Sequence, residues 1–89
     1  MTATLAVGAT LTRADIPALC ADLALLLRDH PARVVVIDVA VARPDVVTAE
    51  AVARLRLTAR RHGSRLVVTG AGPDLVGLLN LLGLGPGDP

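Results

Sequence analysis

The chain has 89 residues and a formal net charge of +1; 53% of its side chains are hydrophobic and none is Phe, Tyr or Trp. That length makes a single domain, which buries only roughly 60–65% of the surface its unfolded form exposes, so its core must be dense in apolar side chains. The near-neutral charge provides no field to steer the protein toward nucleic acid or an anionic membrane, and the missing aromatics exclude base-stacking platforms and cation–π cages.

Residues 3–8 (ATLAVG) are short and apolar and end at Gly8, which predicts a strand closed by a turn. In the next segment Ile16, Leu19, Cys20, Leu23, Leu26 and Leu27 recur at helical spacing and predict one buried stripe. Asp15 before Ile16-Pro17 reads as the N-cap with Pro in the first turn; Thr12, with Asp15 three residues on, is the rival cap. His30-Pro31 stops this helix. Arg33 to Val39 is the clearest strand, and its β-branched run from Val34 to Ile37 suits a central strand covered on both faces.

Arg43-Pro44-Asp45 is a breaker followed by a good N-cap, and a second helix is predicted to run to about His62. Its apolar side is Ala49, Val52, Leu55 and Ala59, and Gly63 ends it as a C-cap glycine. Ser64 to Thr69 forms the next strand, and Gly70-Ala71-Gly72 a flexible connection. Pro73-Asp74 opens a third helix through Leu82, apolar around much of its circumference. The order strand–helix, repeated three times, predicts an α/β fold: a small, mostly parallel or mixed sheet with helices packed on it. One domain is expected over residues 1–84, with a disordered Gly- and Pro-rich tail over 85–89.

Reactive groups are sparse. All nine basic residues are Arg, which with the Ala excess reads as a GC-rich bacterial coding sequence and suits planar interface contacts. Both histidines, His30 and His62, fall at predicted helix C-termini, where an imidazole meets the negative end of the dipole. Cys20, the lone cysteine, sits on the first apolar stripe as a small core residue. Gly70-Ala71-Gly72 lacks the spacing of the dinucleotide fingerprint and of the P-loop. Asp38 and Asp45 flank one loop without further metal ligands at recognisable spacing. Asp38, near the end of a buried strand, needs donors, and the loop before the second helix is the expected source. No enzyme, no cofactor and no metal site is expected. The start lacks a basic segment followed by a long apolar run, and the longest apolar stretch, Leu23 to Leu27, is far short of the roughly 20 residues that span a bilayer. A cytoplasmic protein without direct membrane insertion is expected.

The segment RVVVIDVAVARPDVVTAEAVARLRLTARRHGSRLVVTGAGPDLVGLLNLLGL resembles the STAS domain. That family is found in bacterial anti-sigma-factor antagonists and, in divergent form, in anion transporters and a lipid-transport ABC system. Asp38 matches the family's strand-end Asp, Asp45 the Asp of an Asp-Ser-Ser-Gly-like motif, Gly63 the glycine turn, Leu66 to Val68 the next strand, and Gly83-Leu84 the closing pair. Gly8-Ala9-Thr10-Leu11 looks like the Gly-x-Leu-Asp lead-in to the first helix, with Thr12-Arg13 where an acidic residue is usual.

In antagonists of the family, a Ser or Thr just after the motif's Asp is phosphorylated by the partner anti-sigma factor, a protein kinase. Here the motif reads Asp45-Val46-Val47-Thr48. Counting back from Gly63 places Val47 at the acceptor position; counting forward from Asp38 places Thr48 there. The helical count is favoured, because loops absorb single-residue gaps better than helices do. Thr48 then stands as the one candidate phosphosite, on the forward count. The resemblance implies a non-enzymatic interaction module that binds a protein partner, an anti-sigma factor or related regulator. Its expected contact residues are Arg43, Asp45, Val46, Val47, Thr48 and Arg54. Two alternatives are a non-catalytic subunit of an ABC-type membrane transport complex and a homo-oligomer. An exposed sheet edge is also expected, open to pairing with a partner.

Overall fold

The computed structural model describes residues 2–84. Three strands, β1 (Thr2–Ala6), β2 (Val34–Asp38) and β3 (Arg65–Thr69), alternate with three helices, α1 (Ile16–Asp29), α2 (Val46–Arg61) and α3 (Pro73–Leu81). The sheet is parallel throughout, in the order β1-β2-β3, with Thr4, Val36 and Val67 in one register row. Stepping in one direction through two crossovers of the same hand places α1 and α2 side by side on one face.

That arrangement corrects the expectation that the central strand is covered on both faces. Val35 and Ile37 of β2 are fully buried, whereas Val34, Val36 and Asp38 are half-buried. Leu66 and Val68 of β3 join Val35 and Ile37 in one core with Leu23 and Leu27 of α1, Val52 and Leu55 of α2, and Leu75 and Leu79 of α3. Among the described residues, the opposite sheet face, with Thr2, Thr4, Val34, Val36, Arg65 and Val67, has no helix over it, and none of these side chains is fully buried. A β-branched run marks a central strand because such side chains pack on pleated neighbours; it does not by itself specify cover on the second face.

Local signals explain most boundaries. The first strand ends at Ala6 rather than Gly8: Val7 N–H donates to the Asp38 carbonyl (2.9 Å) and the chain then leaves the sheet. Asp15 does not cap α1 through its side chain. Its carboxylate instead reaches back and accepts both the N–H and the hydroxyl of Thr12 (2.9 Å each), closing a 3₁₀ turn over Arg13–Asp15. These two bonds hold its carboxyl below the ordinary value of 3.8. His30 and His62 are the C-cap residues of α1 and α2. At the end of α2, Gly63 takes φ +72° and Ser64 N–H donates to the Ala59 carbonyl (2.9 Å), the six-to-one bond of a Schellman turn.

Two further expectations change. Cys20 is only half-buried, because Ile16, Leu23 and Leu27 form the fully buried line and Cys20 falls on the flank facing α2. Gly70, expected in a flexible connection, is exposed but abuts Ala40 on one side: it has φ +78°, and an added Cβ would lie 2.9 Å from the Ala40 Cβ. The predicted tail, 85–89, lies outside the described residues.

Candidate functional site

The loop between β2 and α2 is held at both ends by a carboxylate. At the strand end, Asp38 Oδ1 accepts the Ala40 N–H (2.9 Å), the role expected for it. At the helix start, Asp45 is extended (φ −130°, ψ 175°) and its Oδ1 accepts the Thr48 N–H (3.0 Å), satisfying one of the free donors of the first turn. Between them, Ala42 N–H bonds the Val39 carbonyl (3.1 Å) and Asp45 N–H the Arg43 carbonyl (2.9 Å). Gly70 backs the loop from the β3 side. A shallow cleft of about 190 Å³ runs between this loop and the start of α3, walled by Val39, Ala40, Ala42, Pro44 and Gly72 to Leu75.

The cap sets the phase of α2 and so decides where each expected contact residue points. Thr48 shares its helical stripe with Val52, Leu55 and Ala59 and is 2% exposed. Val46 lies on the opposite side and is 58% exposed, while Val47 is half-buried between the two faces. Arg43 and Asp45 are exposed beside Val46. Arg54, eight residues beyond Val46, stands roughly 12 Å further along the axis and is not part of this corner. It lines a separate furrow between α1 and α2 with Cys20, Leu57, Thr58 and Arg61.

Sequence reasoning missed Val41, which is 67% exposed on the loop and sets a second apolar side chain near the corner. Its signal was an isolated valine just before the Arg-Pro breaker. The α1–α2 furrow was also missed, although Arg54, Leu57 and Arg61 share one helical face by spacing.

Chemically, the corner combines two exposed valines, an arginine and a carboxylate whose Oδ1 is already engaged by the cap. Among the described residues, no group of three or more His, Cys, Asp or Glu side chains is placed to hold a metal ion. No helix among them is long and apolar enough to cross a membrane.

A family model described as "Mlab, STAS domain" matches residues 1–86. The chain belongs to the STAS family. The match spans both the fold and the β2–α2 corner, so this STAS domain carries Val46 and Val47 in the first turn of α2 directly after its capping Asp45. A search of curated proteins finds no match.

Proposed function

We propose that this STAS domain is a non-enzymatic interaction module whose β2–α2 corner docks a protein partner, an anti-sigma factor or related regulator, without phosphorylation control. The observation that carries the reading is the division of the first turn of α2. Val46 points to solvent at 58% exposure, and Thr48, the sole hydroxyl side chain from Arg43 to Glu50, points into the core at 2%. Val41, Arg43 and Val46 are all exposed within the short span from the end of β2 to the first turn of α2, and a loop held by Asp38 and Asp45 offers them as apolar and cationic groups for a partner. A phosphate on Thr48 would have to enter the core or unwind the turn, because it adds roughly −1.5 to −2 charge.

The inward Thr48 also favours a second reading, in which the partner is the ATPase component of an ABC-type transport complex. A permanent subunit of that kind needs no phosphoacceptor, and the same corner would serve it.

The test is Val46→Asp. A charge placed in the centre of an apolar contact is expected to weaken binding of the purified partner about tenfold to a hundredfold, measured by calorimetry, with the circular dichroism spectrum unchanged. Undiminished binding by the folded variant overturns the assignment of the corner. Incubation with the anti-sigma kinase and ATP, followed by mass spectrometry, is expected to leave Thr48 unmodified; a phosphate there overturns the claim of constitutive docking.

A further inference from the structure

The outer face of α2 continues beyond the corner as a basic furrow. Cys20 of α1 and Arg54, Leu57, Thr58 and Arg61 of α2 line a space of about 320 Å³. Arg54 and Arg61 are seven residues apart, roughly 10.5 Å along the axis, and Leu57 between them is 48% exposed. One turn before Arg54, Glu50 is already paired with Arg13 at 3.3 Å. The Arg54 carbonyl accepts the Thr58 hydroxyl (3.0 Å), but neither the Arg54 nor the Arg61 guanidinium has a hydrogen-bond or ion-pair partner among the described residues.

Charge is concentrated on this helix. Four arginines against one glutamate give α2 a net charge of +3 while the whole chain carries +1, so the remainder is −2. Arg60 and Arg61 in the last turn also meet the helix dipole. Arg54, mid-helix, has no such reason to be there. The furrow thus presents two cationic ends around an apolar floor of Leu57 and half-buried Cys20. That pattern does not suit a nucleic-acid backbone, which asks for a continuous cationic track. It is complementary to a helix bearing two carboxylates seven residues apart with an apolar side chain between them.

We propose that the α1–α2 furrow receives an acidic amphipathic helix of a protein partner, carboxylates meeting Arg54 and Arg61 and an aliphatic side chain seated on Leu57 and Cys20. The proposal rests on the reading of the domain as a docking module but not on the corner at Val46.

The probe is a hydrocarbon-stapled helical peptide with two glutamates seven residues apart and leucines between them, titrated into the ¹⁵N-labelled protein. Amide shifts are expected at Cys20, Arg54, Leu57, Thr58 and Arg61, with affinity falling as salt rises. The double variant Arg54→Glu/Arg61→Glu is expected to bind about tenfold more weakly or worse, and a lysine-for-glutamate peptide to recover that loss. Val46→Asp is expected to keep the peptide shifts, so failure of the corner and failure of the furrow are read separately. Shifts elsewhere, equal binding by the double variant, or no shifts at millimolar peptide overturn the proposal. So does peptide-independent perturbation of the same amides by phosphatidylglycerol vesicles, which assigns the furrow to lipid, or by protein concentration alone, which assigns it to a second copy.

Discussion

Two glycines with nearly the same backbone conformation separate local strain from tertiary contact. Gly63 (φ +72°) and Gly70 (φ +78°) both occupy the left-handed region, but a Cβ on Gly63 meets nothing within 4 Å. On Gly70 it would lie 2.9 Å from the Ala40 Cβ and 3.0 Å from its Cα and N, and that N–H is the one bonded to Asp38. Alanine at either position carries the left-handed penalty of about 1–2 kcal/mol, offset by about 0.4–1 kcal/mol of lost unfolded-state freedom. Gly63→Ala is therefore expected to destabilise by about 1 kcal/mol. Gly70→Ala adds overpacking against backbone, about 1–3 kcal/mol more. With a urea slope of about 1 kcal/mol per molar for a domain of this size, the two midpoints should differ by about 1 M or more, at equal slopes. Amide shifts from Ala40 to Arg43 should move in Gly70→Ala and not in Gly63→Ala. Coincident midpoints, or an undisturbed loop in Gly70→Ala, would refute the claim that this contact positions the β2–α2 corner.

The helix cap makes a smaller prediction: Asp45→Ala should cost about 1 kcal/mol and accelerate hydrogen exchange at the Thr48 amide, whereas exchange as slow as in the parent chain would remove the cap from the account. The Thr12–Asp15 turn makes a pH prediction. Because the folded carboxyl titrates below its ordinary value of 3.8, the turn's contribution is complete above that value and is lost as pH falls through the lower folded one. The Thr12 amide shift should therefore titrate with a midpoint below 3.8, and Asp15→Asn should flatten it; a midpoint at or above the ordinary value contradicts the two bonds drawn to Thr12.

Several features were legible because they depend on near neighbours in the chain. The Asp45 cap, the Gly63 turn and the stripe of Ala49, Val52, Leu55 and Ala59 all appear where spacing and turn chemistry put them. Even the burial of Thr48 was latent there, since a cap at Asp45 sets the helical phase that aligns Thr48 with Val52 and Leu55. The two candidate registers obscured it, because alignment to a family motif counts positions and ignores which way each one faces. Asp15 does hold the N-cap position of α1 with Pro17 in the first turn, as its spacing indicates, but its carboxylate is taken by the nearer donors of Thr12 instead of the helix's own.

From sequence alone came the alternation of strands and helices, the apolar side of each helix and the poverty of reactive groups, since periodicity, capping and composition are properties of short segments. Tertiary structure decided which sheet face stays open among the described residues, that Cys20 meets the core from the flank of a furrow, and that Gly70 is pressed against Ala40. Those outcomes depend on what arrives from elsewhere in the chain: α2 beside α1, and Ala40 against Gly70. No local pattern encodes the position of a neighbour brought in by folding.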